Sequence, residues 1–293
     1  MKPPKRIIGL LFISALLCLG ACSSSDNSAG SGPVSLAITD ARPMLAAGAE
    51  TATNLEVTFT EVAVHSPNWG WRSLPLGGET PHTIDLLQFH DGVTTELVPP
   101  VLLDYGRYTQ IRIMVSEARI SFDSGVNWLP LQIPPEHLKT DKTFTFDVTS
   151  PAAVKIVADF DLSQSLVVND VQGVPAYKLK PVLHLVETVQ AASISGTING
   201  GSFNGDQAVM ITVLAANPAM AAGYEEYTRL ALDKSASEDS TGFKIYWLVP
   251  DNAYRVEIDF NPATGDGPEY VEEVAAGDLG PGAVFPLNNG VSL

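Results

Sequence analysis

Short runs of alternating apolar and polar residues, separated by turn-forming residues, fill most of the chain after residue 33 and limit what it can fold into. Runs such as NLEVTFTEVAVHS (residues 54–66) and AYRVEIDF (residues 253–260) repeat apolar side chains at every second position, which is the period of a half-buried strand. Segments such as SPNWGW and DSGVNW supply the Asn, Asp, Gly and Pro that reverse a chain. The pattern predicts an all-β fold of antiparallel, sandwich-like domains.

The first 21 residues predict a signal peptide. Three basic residues precede an apolar run, Ile7 to Leu17, which is the layout of a secretory signal and is shorter than the roughly 20 apolar residues of a transmembrane helix. The sequence LGAC at residues 19–22 resembles the bacterial lipobox, whose cysteine is acylated after cleavage; the alternative is an ordinary signal with an incidental cysteine. We expect lipid on Cys22, which anchors the chain to a bilayer, and a flexible tether over residues 22–32.

Composition indicates the location of the chain and argues against some classes of partner. Ser23 stands where an aspartate would favour inner-membrane retention, so we expect the outer membrane of a bacterial envelope, on its periplasmic or outer face. Cys18 is the only other cysteine and lies in the predicted signal, so no disulfide is expected. The net charge is −16, which argues against nucleic acid as a partner and is compatible with divalent cations.

Two β-domains are predicted after the tether. The first spans residues 33–190, and the second, with six or seven strand candidates, spans residues 191–293, the size of one small sandwich. Within the second, residues 217–242 (NPAMAAGYEEYTRLALDKSASEDSTG) are expected to hold a short helix or a mobile loop. No internal repeat links the two domains.

Six stretches of the first domain occur in the order of a known family. They are VSLAITDARP (34–43), LEVTFTEVAVHS (55–66), IDLLQFHDG (84–92), YGRYTQIRIMVSEA (105–118), VADFDLSQSLVV (157–168) and YKLKPVL (177–183). On these residues the domain resembles the DUF4382 family of bacterial envelope lipoproteins. The resemblance implies a domain of unassigned function.

The second domain carries a weaker resemblance. SISGTI (193–198) and GFKIYWLVPDNAYRVEI (242–258) are similar to the carboxypeptidase regulatory-like, transthyretin-like sandwich. The family's turn of proline, glycine, any residue and tyrosine is altered here, since Pro250 to Tyr254 has an inserted residue and lacks the glycine. The resemblance implies a structural, adhesive or glycan-contacting accessory.

Common catalytic motifs are missing from the sequence. None of the five histidines has a second histidine at i+4, the spacing of many zinc hydrolases. There is no Gly-x-Ser-x-Gly elbow for a serine nucleophile, and the only cysteine after the signal is the predicted lipid site. We therefore expect a protein that is not an enzyme.

Asp159 and Asp161, in VADFDLSQS, are the candidate ion site. Residues two apart on a strand share a face and lie roughly 7 Å apart, and carboxylates at such spacing bind cations or serve as acid and base. Three alternatives stay open: a divalent-ion site with Ca²⁺ as the candidate cofactor, a catalytic pair, and a solvated strand face or turn cap. Asp40, Asp85 and Asp91 join the pair only if the fold brings them together.

Trp69 and Trp71 are candidate glycan contacts, because pyranose rings stack on exposed indoles; the alternative is that they cover the sandwich core. The predicted function is a non-enzymatic, lipid-anchored envelope protein for binding, adhesion or envelope organisation, with an unidentified envelope protein or glycan as partner. The alternative is a glycan-binding or divalent-cation-dependent surface protein, less readily a glycan-active one. Carboxylates and a tryptophan that line one pocket would favour this alternative.

Overall fold

The computed structural model describes residues 30–40, 52–133, 138–139, 144–171, 174–199, 209–232, 240–262 and 264–287. The strands of the first half are β1 (Ser31–Thr39), β2 (Asn54–Ser66), β3 (Gly70–Leu74), β4 (His82–Asp85), β5 (Thr95–Asp104), β6 (Gly106–Tyr108), β7 (Gln110–Ser121), β8 (Leu129–Pro130), β9 (Leu138–Lys139), β10 (Phe146–Val148) and β11 (Val154–Phe160). A four-residue helix, α1 (Leu162–Ser165), follows β11.

The remaining strands are β12 (Leu166–Val171), β13 (Val174–Leu179), β14 (Leu183–Glu187), β15 (Ala192–Asn199), β16 (Val209–Ala216), β17 (Tyr224–Leu232), β18 (Ser240–Leu248), β19 (Tyr254–Asp259), β20 (Tyr270–Val274) and β21 (Val284–Pro286). Short 3-10 turns cover Leu86–Gln88 and Ala276–Asp278. The predicted all-β, sandwich-like class is confirmed. Most strand pairs are antiparallel, but β1 pairs with β11 and β15 with β21 in parallel.

The first module, residues 31–187, closes around one hydrophobic core. One sheet has the order β14-β11-β1-β5, and a second joins β3, β2, β7 and β8, with β4 also paired to β2 and β9 to β7. The alternation of β2 sends Leu55, Val57 and Phe59 into the core, where each is fully buried. Burial of such side chains contributes about 1.5–3 kcal/mol each, so this period-2 pattern is what fixes the register of β2.

The second module, residues 192–287, has its own core. Its sheets have the orders β18-β15-β21 and β17-β16-β19-β20, and the buried cluster between them shares no residue with that of the first module. Tyr254 is fully buried there and donates its hydroxyl hydrogen to the carbonyl of Val249 at 2.9 Å. A tight turn after β14 connects the modules, since the amides of Gln190 and Ala191 both bond to the carbonyl of Glu187.

Strand β1 begins inside the predicted tether of residues 22–32. Ser31 and Gly32 pair with Asp104 and Leu103 of β5, which satisfies their backbone groups and ends the tether earlier. The predicted signal peptide and Cys22 lie outside the described residues. Within the described residues no helix is long and apolar enough to cross a membrane.

The expectation of a short helix or mobile loop over residues 217–242 is wrong for much of that stretch. Residues 224–232 form β17, which pairs along β16 from Ala216↔Tyr224 to Val209↔Leu232. The pairing shifts register between Val213 and Leu214. Such a bulge interrupts the regular alternation by which a strand is recognised in sequence.

Candidate functional site

Asp159 and Asp161 lie where β11 passes into α1. Asp159 is the penultimate residue of β11, whereas Asp161 stands outside the strand as the N-cap of α1. Strand alternation therefore does not relate the two side chains. Both are buried, with 5% and 0% of their surface exposed, so the alternative of a solvated strand face is wrong for both residues.

Asp161 caps α1 with both of its carboxylate oxygens. Oδ1 accepts hydrogen bonds from the hydroxyl of Ser163 and from the amide of Gln164, and Oδ2 accepts from Nε2 of Gln164 at 2.8 Å. A side-chain acceptor at this position satisfies backbone donors that a helix start leaves unpaired. Asp161 thus has the turn-capping role that the sequence left open.

The side chain of Gln164 links the helix cap to the second module. Its Nε2 also donates to the carbonyls of Tyr227, at 2.9 Å, and Glu226, at 3.3 Å, on β17. Because Asp161 holds the same amide group, the carboxylate orients the side chain that bridges the modules. The polar segment DFDLSQ is therefore a joint between modules.

Two aromatic contacts reinforce the joint. The ring of His184 on β14 stacks on that of Tyr227, with centroids 4.0 Å apart and planes inclined by 22°. Gly92, with φ of 82°, lies against Tyr246 of β18 so closely that a Cβ at Gly92 would be 2.7 Å from the ring. Burial raises the pKa of Tyr227 well above its usual value, as do the neighbouring Tyr254 and Asp159, so its ring packs as a neutral group.

Asp159 faces a small cavity, the Asp159 cavity, at the same junction. Asp40, Asp91, Thr228 and Trp247 also line it, and its volume is about 40 Å³. Within the described part of the chain, Oδ1 of Asp159, Oγ1 of Thr228 and Nε1 of Trp247 have no hydrogen-bond partner. Burial, and then the charge of Asp161, raise the pKa of Asp159 to about 7.

Carboxylates and a tryptophan line the Asp159 cavity together, which is the arrangement expected of a glycan-binding or cation-dependent protein, but the cavity is small. A single water molecule needs about 10–15 Å³ of cavity volume. The cavity therefore holds at most a few water-sized groups and is too small for a sugar ring. Asp40 and Asp91 do join Asp159 there, and Oδ1 of Asp40 accepts from the amide of Leu162 at 3.2 Å. Asp85 does not, since its carboxylate accepts from Asn54, Gln88 and the amide of Leu55.

Metal ligation and glycan contact at the predicted residues remain predictions. Among the described residues, no three His, Cys, Asp or Glu side chains are placed to share a metal ion. Trp69 and Trp71 are 52% and 38% exposed, so they are not core plugs. Gly70 between them has φ of 74°, which breaks the extended geometry that would give them a common face, and the guanidinium of Arg112 lies over the ring of Trp71 at 4.0 Å.

A larger cavity, the junction groove, opens on another side of the joint. Its volume is about 600 Å³, within the range of ligand pockets. The first module contributes Phe144, Thr145 and residues 182–187, and the connecting turn contributes Gln190. The second module contributes Ala215, Ala216, Glu225, Tyr227, Val249, Pro250 and Asn252.

The charged carboxylates of the junction groove are Glu187 and Glu225, and no lysine or arginine is among its described lining residues. Burial, and then the charge of Asp147, raise the pKa of Glu187 above its usual value. Asn217 donates to Oε2 of Glu225 at 2.7 Å. The groove is therefore mostly apolar, with an acidic character at its polar points.

Sequence reasoning missed Gln164, Tyr227 and Gly92 as residues of the joint. Gln164 and Tyr227 are 63 positions apart, and no local period or motif relates two residues that meet only through module packing. The one available signal was the glycine of His90-Asp91-Gly92, because a positive φ at a turn favours glycine.

The family description "Domain of unknown function (DUF4382)" matches residues 31–181, just over half of the chain. The chain belongs to the DUF4382 family. The matched DUF4382 region contains most of the first module and Asp159 to Gln164, but not the second module. No curated protein matches the chain in sequence.

Solved structures give only distant likenesses. A leucine-rich repeat protein from Bacteroides thetaiotaomicron VPI-5482 shares 11% identity over 90% of this chain and 26% of its own, with a TM-score of 0.23. The fimbrial anchor protein Mfa2 from Porphyromonas gingivalis shares 10% identity over 83% of each chain, with a TM-score of 0.22. The chain spans about a quarter of the length of the first. At these TM-scores the likenesses carry no inference about this DUF4382 protein.

Proposed function

We propose that this DUF4382 protein is a lipid-anchored, non-enzymatic binding protein of the bacterial cell envelope, and that the junction groove receives its ligand. The observation that carries the proposal is a mostly apolar groove of about 600 Å³ between two separately cored modules. Ligand sites are commonly concave, mostly apolar and placed at domain interfaces. The lipobox-like cysteine, Cys22, supports lipid anchoring, and Ser23 after it supports the outer membrane.

The placement of Asp159 supports binding rather than catalysis. A residue with a strongly shifted pKa in a substrate-sized cleft is a candidate for chemistry. Here Asp159 lines the cavity of about 40 Å³ and is not among the lining residues of the junction groove. Asp159, whose pKa is raised to about 7, is thus separated from the space for a ligand, whereas Glu187 and Tyr227, whose pKa values are also raised, border that space as a half-buried carboxylate and a neutral ring.

The binding role is tested with the soluble chain that begins at Ser23, screened against glycans and other envelope components. Ala216 is half-buried and lines the junction groove, so Ala216→Trp fills it. We expect this variant to lose at least tenfold in affinity for any ligand that the unaltered chain binds. Ala275 is exposed and outside the groove, and Ala275→Trp is the matched control. Equal affinity of all three chains would contradict the groove as the binding site.

A divalent-cation-dependent role is the second candidate, favoured by the unpaired, buried Oδ1 of Asp159 in a cavity of ionic size. If Asp159 and Asp161 hold Ca²⁺, calcium raises the melting temperature and a chelator lowers it, and Asp159→Asn abolishes both shifts. A transition that neither calcium nor chelator moves would contradict an ion at this place.

Glycan contact through Trp69 and Trp71 is favoured by their exposure and is tested by the same glycan screen with Trp69→Ala.

A further inference from the structure

Strand β14 is an edge strand whose free side can be identified residue by residue. It ends the sheet order β14-β11-β1-β5, and its register with β11 is regular from Ile156↔Glu187 to Phe160↔Leu183. Beyond the two ends, the amide of Asp161 bonds to the carbonyl of Val182, and that of Thr188 to the carbonyl of Lys155. Hydrogen-bonded pairs recur at every second residue of an antiparallel ladder.

The backbone of the intervening residues therefore alternates in direction. His184 and Val186 bond toward β11, which leaves the backbone groups of Leu183, Leu185 and Glu187 on the opposite, free side. Among the described residues, no hydrogen bond is formed by the amides of these three or by the carbonyls of Leu183 and Leu185. The carbonyl of Glu187 is already used by the turn to Ala191.

The free side of β14 runs along the junction groove. All five residues of β14 line it. Because successive side chains of a strand point to opposite faces, a cavity that touches five consecutive residues meets the strand at its edge. The groove thus offers three amides and two carbonyls in the spacing of a strand, which is a template for another strand.

The walls of the groove restrict the chemistry of such a strand. Phe144, Val249 and Pro250 supply apolar surface, and Glu187 and Glu225 supply the charge. The net charge of the chain is −16, so the long-range field also favours a cationic partner. Charge complementarity therefore selects an extended peptide with apolar side chains and at least one lysine or arginine.

We propose that the ligand of the junction groove is an extended basic peptide segment of a partner protein, which adds to β14 as a further strand through the backbone of Leu183, Leu185 and Glu187. This inference rests on the proposed binding role of the groove. About five residues of the peptide would pair with β14, alternate side chains entering the groove.

The test uses phage-displayed random twelve-residue peptides, selected on the soluble chain that begins at Ser23. We expect selected peptides to carry lysine or arginine among alternating apolar residues. Glu187→Pro removes one outward amide without touching the β11 ladder, and proline is tolerated at a strand edge. Glu187→Ala removes the same carboxylate but keeps the amide. We expect Glu187→Pro to bind selected peptides at least tenfold more weakly than Glu187→Ala.

Amide hydrogen exchange on the unaltered chain gives a second measurement that does not depend on the folding of Glu187→Pro. A bound peptide is expected to slow exchange at Leu183, Leu185 and Glu187. The proposal is overturned if no peptide is selected, if both Glu187 variants bind equally, or if these three amides gain no protection.

The outcomes separate this inference from the proposed function. Ligands from the envelope screen that are lost in Ala216→Trp, together with a failed peptide selection, would leave the groove as a binding site and overturn the peptide ligand. Peptides that bind Ala216→Trp as well as the unaltered chain would also overturn it. If no envelope component and no peptide responds to Ala216→Trp, both proposals fall.

Discussion

The two sides of the module junction differ in how their polar groups are used. On the closed side, the side chain of Gln164 donates hydrogen bonds to Asp161 and to the carbonyl of Tyr227 on β17. Gly92, which has no side chain, leaves space for the ring of Tyr246. On the open side, β14 presents backbone groups to a groove of about 600 Å³. A polar segment within the family match therefore need not border the space open to a ligand, since here it joins the modules while an apolar strand borders the groove.

The largest effect is expected from the titration of Asp159 on the closed side. Its pKa is raised from 3.8 to about 7 in the folded protein, by burial and then by Asp161. The folded state therefore binds the proton more tightly, so the contribution of this group is fully present below pH 3.8 and declines as pH rises toward and through 7. The expected loss is on the order of 4 kcal/mol in the free energy of unfolding.

Urea denaturation across this pH range measures the decline. Asp159→Asn cannot ionise, so its stability should lack this dependence and should exceed that of the unaltered chain at pH 8. The other titratable groups that line the cavity are Asp40, Asp91, Arg229, Lys244 and Tyr246. They are present in both chains, so the difference between the two pH curves reports Asp159. Parallel pH curves for the two proteins would contradict a buried, proton-binding Asp159.

The cap of α1 is expected to give the next largest effect. Asp161→Ala removes three accepted hydrogen bonds, one of them from the side chain of Gln164, so we expect a loss of about 2 kcal/mol in the free energy of unfolding at pH 7. Asp161→Asn keeps one acceptor oxygen and should lose less. Chemical denaturation compares the three chains, and equal losses for alanine and asparagine would show that the cap does not depend on an acceptor.

Gly92 and Gly265 form a matched pair for the aromatic contact. Both have a positive φ, of 82° and 71°, but a Cβ at Gly92 meets Tyr246 whereas nothing lies within 4 Å of one at Gly265. Alanine at either site costs about 1 kcal/mol from the left-handed backbone, and Gly92→Ala should cost about 1 kcal/mol more from the clash. Equal melting temperatures for the two variants would mean that Tyr246 moves aside freely.

The open side should give the smallest effect. The pKa of Glu187 is raised by burial and by Asp147, so its ionised form contributes no stability at neutral pH. We expect Glu187→Ala to change the free energy of unfolding by less than about 0.5 kcal/mol. A loss as large as that of Asp161→Ala would show that both sides of the junction hold the modules together, and would remove the contrast between them.

The alternation of apolar residues predicts regular, half-buried strands well, but it misses strands that contain proline or a bulge. The run at residues 54–66 coincides with β2, because one face of that strand is core and the other is solvated. Strand β5 carries Pro99 and Pro100, which in sequence argue against a central strand. It lies at the edge of its sheet, where proline is tolerated. Strand β17 was missed because a bulge shifts its register against β16.

The sequence locates Asp159 and Asp161 but not their environment. It left three alternatives open for the pair, and their burial involves β17 of the second module, more than 60 positions away, which no local pattern reports. The joining of Asp40 and Asp91 to Asp159 was left conditional on the fold for the same reason. The sequence did not predict the junction groove, because a strand at the edge of a sheet and a strand inside it can have the same residue pattern.

The parallel pairing of β1 with β11, followed by antiparallel β14, has a mechanical consequence. The proposed lipid anchor precedes β1, so a tug on a peptide strand held by β14 would pass through β11 to β1 within one sheet. A load applied along the strands would shear their ladders, so many hydrogen bonds would have to rupture together instead of opening one at a time from an end. For a load in that direction, the sheet order is suited to hold the proposed partner under tension.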